Sequence, residues 1–378
     1  MLSYVIGFFD YLYFPMRWFM GKNRPKFFRN GWGDNKKLEE AHGRFKDLCF
    51  YPKEERLAID WTTEKKKSVG SGKFVYVASG RFTSPLALQL PPEARVCHVE
   101  RVSCTPVDAE QNQSTGTSGI ERVAFFFPAT GEQGRGGRVN LATDLAKNDG
   151  ITSYIITAPF YQKRRPDGQK MHYVDNVADY ILQSYAIVIE GVVLAKHVAK
   201  LHSENAPKTP LHLFFTGYSW GGAMSSLSGS ASAFSLREDR NCSVAVIPYC
   251  GSATPAPVTD GILAGDIDWA ALKEGNEVYE ETRQRLLKYF AAVNLKSLAG
   301  DGVTAHLDAV VMGSAQHDIF VIPSYSDQLR EQLSDFMVDK DAIVHQWLVG
   351  GHVWAFLRRK SAQLPLVRQA VVMLAKRK

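Results

Sequence analysis

The sequence predicts an α/β fold with a doubly wound, mostly parallel sheet, because short apolar runs alternate with segments of helical length. The clearest runs are 122–131, 151–160 and 211–217, each closing in or near a proline or glycine. Runs that are apolar at successive positions suit strands covered on both faces. Residues 175–204 place apolar side chains at helical spacing between the second and third runs, which predicts a long amphipathic helix.

The same pattern continues on both sides of these runs. Further strand-like segments occur at 73–79, 95–104, 242–250, 307–314 and 342–351. A helix is expected directly after Ser219, and another over residues 361–376. The polar segment 105–119 is rich in glycine, serine and threonine, which predicts an exposed loop.

The chain divides into an N-terminal arm, residues 1–38, and one α/β domain, residues 39–378. A length of 378 residues suffices for one large domain with insertions. Residues 255–300 interrupt the alternation with one or two helices, which predicts a helical cap. Because ligands bind at the carboxyl ends of parallel strands, an insertion there would cover the ligand side of the sheet.

The arm begins with twenty residues that are rich in aromatic side chains and carry only Asp10 and Arg17 as charges. Its positive charge follows the apolar run, unlike that of a secretory signal, and Asp10 and Pro15 interrupt any spanning helix. Tyrosine and tryptophan favour the headgroup layer of a membrane. Three interpretations stay open: membrane contact, packing onto the protein's own core, and a cleaved targeting segment.

Composition argues against several function classes. The five cysteines form no C-x-x-C pair, so we expect no metal module and no disulfide framework, and a reducing compartment is favoured. The net charge of +6 is not accompanied by a recognisable nucleic-acid reader, so we expect no nucleic-acid partner. An anionic lipid surface or substrate suits this charge, and a solvated basic face is the alternative.

The G-Y-S-W-G motif of residues 217–221 follows a predicted buried strand and precedes a helix that begins with small residues. This strand–turn–helix context is the one that a nucleophile elbow requires. The glycines leave room for a strained turn at Ser219, and the helix start directs its dipole at developing negative charge. We therefore predict that Ser219 is a catalytic nucleophile.

An acid and a base follow Ser219 along the chain. Enzymes with a nucleophile elbow carry their catalytic residues in this order: serine, then carboxylate, then histidine. Asp318 comes after the strand 307–314, and His352 comes after the last predicted strand. His352 would accept the proton of Ser219, and Asp318 would hold the imidazole in its working tautomer. The competing histidines and carboxylates are His317, His345, Asp260, Asp266 and Asp268.

Two backbone N–H groups should form the oxyanion hole. One belongs to Trp220, next after the nucleophile, and the other to Thr130 or Gly131 in the loop after the strand 122–131. That loop lacks the G-K-[ST] ending of a phosphate-binding P-loop. The predicted chemistry needs no metal or organic cofactor.

Five cations lie in the loops after two neighbouring strands, where an open parallel sheet binds its ligands. They are Arg135, Arg138, Lys163, Arg164 and Arg165. Their number on one rim predicts recognition of an anionic headgroup, and a solvated loop edge is the alternative.

From about Phe27 onwards, the sequence resembles the α/β-hydrolase domain-containing protein 18 family. The resemblance rests on F-F-R-N-G-W-G (27–33), G-R-F-T-S-P (80–85), A-T-G-E (129–132), P-F-Y-Q-K-R-R-P (159–166), T-G-Y-S-W-G-G (216–222), D-I-D-W (266–269) and G-G-H (350–352). It implies an α/β-hydrolase fold with Ser219, Asp318 and His352 at the triad positions. It also implies mitochondrial association and deacylation of phospholipids, with cardiolipin as a suggested substrate.

The leading hypothesis is therefore a membrane-associated serine lipid acyl hydrolase acting on an anionic phospholipid, at a mitochondrial membrane or on the cytoplasmic face of another internal membrane. An acyl-CoA thioesterase would share the triad and use the cations for nucleotide phosphates. A hydrolase-fold protein without catalysis, serving as a lipid-binding or assembly module, is the third hypothesis.

Overall fold

The computed structural model describes residues 10–11, 25–50, 57–70, 72–107, 119–239, 241–300, 302 and 304–376. Within these residues, nine strands form one sheet in the order β1-β2-β3-β5-β4-β6-β7-β8-β9. The strands are β1 (Asp60–Ser68), β2 (Phe74–Thr83), β3 (Val96–Ser103), β4 (Glu121–Phe127), β5 (Thr152–Ile156), β6 (Leu211–Tyr218), β7 (Cys242–Tyr249), β8 (Ala309–Ala315) and β9 (Ile343–Leu348).

Strands β4 to β9 run parallel, and β1 to β3 add an antiparallel extension at the β5 edge. The predicted mostly parallel sheet with helices is therefore confirmed. The helices are α1 (Asn35–Phe50), α2 (Gly136–Asp149), α3 (Val177–Asn205), α4 (Trp220–Ser235), α5 (Pro257–Asp260), α6 (Trp269–Leu272), α7 (Tyr279–Phe290), α8 (Leu295–Gly300), α9 (Pro323–Ser334), α10 (His352–Leu357) and α11 (Arg359–Ala375).

The core lies on both faces of the sheet, as the apolar runs predict. Phe125 and Phe127 of β4 face one cluster, which α3 and α4 cover, while Ala124 and Phe126 face the other. Helices α2 and α11 cover that second face, where Leu145 is fully buried. Side chains alternate between the two faces of a strand, so a strand buried on both faces is apolar at successive positions.

Helix α3 is long and apolar enough to cross a membrane, but it is a central helix of this domain. Of its most apolar 18-residue window, 89% is buried inside the protein. Its N-terminal turn is capped by Asn176, whose side chain accepts a hydrogen bond from the N–H of Asp179 at 2.8 Å. Burial on nearly every side explains why this helix is apolar almost all round.

Several elements were not expected from the sequence, among them β1, α1, α2, α9 and α10. Strand β1 pairs with β2 at the edge of the described sheet and is exposed along most of its length. It therefore lacks the apolar alternation that identifies a half-buried strand. Its lysine run is typical of an edge strand, since charge there opposes pairing with other chains. Helix α2 begins in a glycine-rich stretch, and α9 begins at a proline. Of the loop expected at 105–119, residues 108–118 lie outside the described residues.

Part of the N-terminal arm packs on the α/β domain. Phe27 and Phe28 are buried in the main core, and Phe27 forms a β-bridge with Ile267. Asp10 is also fully buried, whereas Tyr11 is about half exposed. The rest of the aromatic segment, residues 1–9 and 12–24, lies outside the described residues.

The insertion expected at 255–300 is helical and contains α5 to α8. It enters after β7 and returns to the sheet at β8, and Phe290 of α7 contacts Tyr180 of α3 with ring centroids 5.5 Å apart. Its first turns, around Pro257 and Val258, lie beside Ser219 and contribute to the same pocket. The inserted segment therefore shapes the space above the carboxyl ends of the strands.

Candidate active site

Ser219 lies on a strained turn between β6 and α4. Its φ of 60° and ψ of −124° are rare for a residue with a side chain. The Ser219 N–H donates to the Tyr249 carbonyl at 2.8 Å, which fixes the turn to the neighbouring strand β7. Strain of this kind persists only where surrounding contacts hold it, and it is typical of functional sites.

The glycines of the motif are required by close backbone approach. A Cβ at Gly217 would lie 2.2 Å from the carbonyl oxygen of Gly221, and a Cβ at Gly221 would lie 2.6 Å from the Pro128 carbonyl oxygen. Neither distance is compatible with a side chain. The turn is therefore compressed against both itself and the end of β4, which presents the serine above the sheet.

The structure brings Ser219, His352 and Asp318 into one hydrogen-bonded series. His352 Nε2 lies 2.9 Å from Ser219 Oγ, and His352 Nδ1 lies 2.6 Å from Asp318 Oδ2. Because the carboxylate can only accept, Nδ1–H donates to it and leaves Nε2 to accept from the serine hydroxyl. The three residues follow β6, β8 and β9. This arrangement can activate an alcohol as a nucleophile.

Contacts from several elements hold the acid and the base in place. The second oxygen of Asp318 accepts from the N–H groups of Phe320 and Val321 at 2.8 and 2.7 Å. The Phe320 ring stacks on the His352 imidazole, with centroids 4.9 Å apart. Tyr218 Oη donates to the His352 carbonyl at 2.7 Å. The imidazole is therefore restricted to the orientation in which it meets Ser219.

The competing histidines and carboxylates make other contacts. His345 pairs with Ser314, Asp260 with Arg283 and Tyr325, and Asp268 with Lys26. His317 is exposed, and the backbone carbonyl of Asp266 accepts from Phe27. None of these five residues takes part in the Ser219 series within the described part of the chain.

The three predicted oxyanion donors differ in whether their N–H groups already donate a hydrogen bond. The Gly131 N–H donates to Tyr161 Oη at 3.3 Å, so it already has an acceptor. Among the described residues, no acceptor is found for the N–H of Thr130 or of Trp220, and both residues line the pocket at Ser219. The geometry therefore favours Thr130 over Gly131 as the partner of Trp220.

A small pocket, partly open to solvent, adjoins Ser219. Thr130, Ser252 and Thr254 are its polar members besides the serine. Its remaining lining is Tyr180, Trp220, Ala223, Pro255, Pro257, Val258, Leu263, Phe320 and Val321. The pocket is therefore mainly apolar, which suits an alkyl or acyl group.

Two of the five predicted headgroup cations are buried, and the prediction is wrong for both. Arg164 is fully buried in a bidentate pair with Glu190 of α3, at 2.6 and 2.8 Å. Arg138 is 3% exposed and donates to Glu132 and to the carbonyls of Phe126 and Ile156. A guanidinium with such partners is unavailable to a ligand. Arg138 instead anchors the loop that carries Thr130.

The other three cations stay near the surface. Lys163 and Arg165 are exposed, while Arg135 is half-buried and lies 3.1 Å from Glu100. Burial, together with the positive charges of Arg164, Lys163 and Arg135, lowers the pKa of His98 to about 4. Of the five predicted cations, Lys163 and Arg165 are therefore the two that are exposed.

Three possible metal ligands lie together in the described residues, and two of them belong to the Ser219 series. One donor atom each of Cys250, Asp318 and His352 lies within 4.8 Å of the others. Burial raises the pKa of the Cys250 thiol well above its usual range, which keeps it protonated. Asp318 and His352 are already hydrogen-bonded to each other, so this donor set suits a serine triad better than a metal.

Sequence reasoning missed three residues that hold the site together: Tyr218, Phe320 and Asp10. Tyr218 is part of the motif, and Phe320 lies two residues after the acid. Asp10 accepts hydrogen bonds from the backbone of His352 and Val353, both at 2.7 Å. The available signal was a single carboxylate within an aromatic segment, because a charge in such a run needs a partner when it is buried.

A mostly parallel sheet with a serine on the turn after β6, and with an acid and a base after later strands, defines the α/β-hydrolase fold. Solved structures with this architecture include acetyl xylan esterases from Paenibacillus sp. R4 and from Thermoanaerobacterium sp. JW/SL YS485. The first is 12% identical, with 89% of this chain and 97% of that chain covered and a TM-score of 0.53. The second is 13% identical, with 90% and 96% covered and a TM-score of 0.50.

The rice cell wall degrading esterase LipA from Xanthomonas oryzae is similar as well, at 11% identity, with 85% and 99% covered and a TM-score of 0.50. At these identities the likeness concerns the fold. Residues 25–303 match the family Alpha/beta hydrolase domain containing 18. The chain belongs to this family, as the resemblance in its motifs predicted, and is a hydrolase of the α/β-hydrolase superfamily with an esterase-like fold.

Proposed function

We propose that this protein is a serine ester hydrolase that removes acyl chains from an anionic phospholipid at a membrane surface. The observation that carries the proposal is the Ser219–His352–Asp318 series, with distances of 2.9 and 2.6 Å. An exposed serine rarely reacts unless a base accepts its proton. Here the base is aligned, its tautomer is set by a buried carboxylate, and the serine lies on a strained turn.

The reaction follows from these positions. Ser219 Oγ attacks the acyl carbonyl while its proton passes to His352 Nε2, and the N–H groups of Trp220 and Thr130 stabilise the oxyanion. The intermediate collapses as His352 protonates the departing lysolipid oxygen, which leaves the acyl group on Ser219. Water, deprotonated by His352, then attacks the acyl-enzyme and releases the fatty acid and the free serine. Atoms balance as ester plus water giving acid plus alcohol.

The apolar pocket supports an acyl chain as the group held during this reaction. Each methylene transferred from water to an apolar environment contributes about 0.8 kcal/mol. Trp220, Val258 and Phe320 line the same pocket as Ser219, so an acyl chain that enters this pocket with its ester carbon at Ser219 would contact them. The proposed substrate is therefore an ester of a hydrocarbon acid.

Exposed apolar side chains beside His352 support work at a lipid surface. Val349 is 51% exposed, and Phe356 and Leu357 of α10 are 39% and 61% exposed. Arg358 is exposed directly after them. Aromatic and aliphatic side chains with a neighbouring cation are typical of segments that lie in the headgroup region of a membrane.

An anionic headgroup is supported by Lys163 and Arg165, the exposed cations after β5. The family resemblance adds cardiolipin and a mitochondrial membrane to this proposal. Within the described part of the chain neither cation takes part in an ion pair, so neither has to break one to meet a phosphate. Each exposed contact should contribute between a few tenths of a kcal/mol and about 1 kcal/mol.

Vesicle hydrolysis tests this function. Purified protein should release fatty acid faster from phosphatidylcholine vesicles that contain cardiolipin than from phosphatidylcholine alone, and Ser219→Ala should abolish release from both. Turnover of soluble acyl-CoA without vesicle hydrolysis would establish a thioesterase instead. Absence of any turnover, and of fluorophosphonate labelling at Ser219, would establish a protein without catalysis.

Charge reversal tests the headgroup separately. Lys163→Glu and Arg165→Glu should each raise KM on cardiolipin vesicles by about 2- to 5-fold at low salt. The matched control is Lys208→Glu, an exposed lysine that precedes β6 and so lies at the opposite end of the parallel strands. If KM rose equally in all three variants, the proposed recognition of an anionic headgroup would be wrong, while the proposed ester hydrolysis would be unaffected.

A further inference from the structure

Asp10 belongs to the N-terminal arm and contacts the backbone of the histidine in the active site. Its side chain is fully buried, and its carboxylate accepts from the N–H groups of His352 and Val353 at 2.7 Å each. A longer contact, 3.4 Å, joins it to the N–H of Ile319, next to Asp318. One remote carboxylate therefore contacts the two loops that carry the acid and the base.

The bonded N–H groups are the first two of α10, the helix that begins at His352. The first N–H groups of a helix have no acceptor within the helix, and usually a side chain at the N-cap position accepts from one of them. Here the N-cap is Gly351, which has no side chain. Asp10, which lies more than 340 residues away in the sequence, provides the acceptor that the side chain of the N-cap residue provides in most helices.

The backbone at Gly351 is shaped around this carboxylate. A Cβ at Gly351 would lie 2.5 Å from both Cγ and Oδ2 of Asp10. The φ of Gly351 is −100°, a value that any residue adopts, so the glycine is required by space and not by its conformation. The G-G-H sequence and Asp10 are thus complementary parts of one contact.

Placing a carboxylate here costs free energy that its hydrogen bonds only partly offset. Burial raises the pKa of Asp10, the N–H groups of Val353 and His352 lower it, and the nearby charge of Asp318 raises it further. An apolar side chain at this position would leave the N–H groups of His352 and Val353 without this acceptor. The carboxylate is therefore tied directly to the backbone of the histidine that it holds.

We propose that Asp10 is a positioning residue that fixes His352 by capping α10. Asp10 acts on the backbone of His352, and Asp318 acts on its imidazole. Together they hold Nε2 at hydrogen-bonding distance from Ser219. This inference rests on the proposed esterase function, because His352 is taken as its base.

The first test compares kinetics on a small soluble ester, using the full chain. Asp10→Ala should lower kcat by about 10- to 100-fold with KM changed less than about 2-fold, because the base is misplaced while the acyl pocket is intact. The matched control is Asp308→Ala, which removes a carboxylate that accepts from the Val244 N–H at 2.8 Å at the amino ends of β7 and β8, opposite the strand ends that carry Ser219, and which should leave kcat unchanged while lowering Tm. An unchanged kcat in Asp10→Ala would overturn the proposal.

The second test is a rescue. Gly351→Ser alone should reduce kcat, because its Cβ collides with the carboxylate of Asp10. In the Asp10→Ala background the same serine has room, and its hydroxyl can cap α10 locally from the extended backbone that N-cap residues adopt. The double variant should recover at least about a third of wild-type kcat. If kcat of the double variant were no higher than that of Asp10→Ala, Asp10 would affect kcat in some way other than capping α10.

A third measurement does not depend on turnover. Amide hydrogen exchange of residues 351–357 should accelerate by at least about 10-fold in Asp10→Ala and return toward wild type in the double variant. If the wild-type protein hydrolyses no ester, the proposed function fails, and this exchange still decides whether Asp10 caps α10. Unchanged exchange in Asp10→Ala would overturn the capping contact itself.

Discussion

The nucleophile turn and the histidine loop each present one side chain of the same triad, but they are built in opposite ways. The turn at Ser219 is formed by neighbours in sequence, since Gly217 and Gly221 meet each other across it. The loop at His352 is held by Asp10 and Asp318, from the start of the chain and from another strand end. A motif describes most of the first region and only a small part of the second.

The difference explains what could be predicted. A strained turn needs particular residues at fixed spacing, so Ser219 was found from five letters in a strand–turn–helix context. Asp318 and His352 were found from chain order and strand ends, which the topology of this fold dictates. Asp10 was not found, because a contact between residues 10 and 352 leaves no spacing to recognise.

The buried arginines repeat this lesson. Arg164 was assigned to ligand binding because it lies in a basic loop, and loops are usually exposed. Its burial depends on Glu190, an acid flanked by apolar residues in the middle of α3. Asp10 is likewise an acid among aromatic residues. In both cases a charge inside an apolar run marked a buried partner that the sequence alone could not name.

The largest expected effect concerns the histidine loop. Asp318→Asn should keep the loop folded but favour the wrong tautomer of His352, and kcat should fall by up to about 10⁴-fold. Asp268→Asn is the control, since Asp268 pairs with Lys26 at the surface. If Asp268→Asn were the more damaging change in steady-state kinetics, the acid would be misassigned.

A smaller effect, on stability, is expected at the buried pair. Arg164→Met leaves Glu190 uncompensated and should lower the free energy of unfolding by about 3–5 kcal/mol. Arg165→Met, one residue along and exposed, should change it by less than about 0.5 kcal/mol. Urea denaturation of both variants measures the difference, and similar values would contradict the burial of Arg164.

The nucleophile turn itself should tolerate no side chain at its glycines. Gly217→Ala places a Cβ against the Gly221 backbone, and we expect a loss of about 1–3 kcal/mol or more in unfolding free energy. Unlike the damage from Gly351→Ser, this loss should be the same with and without Asp10, because the turn is local. A dependence on Asp10 in thermal denaturation would show that the two regions are coupled.

The smallest effect is a pH dependence away from both regions. His202 near the end of α3 donates a hydrogen bond to Glu121 of β4. This bond raises the pKa of His202, and its effect outweighs that of burial, which lowers the pKa. A raised folded-state pKa gives stability that is present below the unfolded value of about 6.5 and is lost as pH rises through the folded value. Because Glu121 is 43% exposed, the loss should be under about 1 kcal/mol, and it should vanish in His202→Gln.

The most direct test of the account is the rate at which a fluorophosphonate probe labels Ser219, with the site identified by peptide mass spectrometry. The central claim is that Ser219 is activated by a histidine held from two sides. Wild type should label rapidly and only at Ser219, His352→Ala should not label, and Asp10→Ala and Asp318→Asn should each label at least about 10-fold more slowly. Labelling at another residue, or at Ser219 with an undiminished rate in His352→Ala, would contradict the claim.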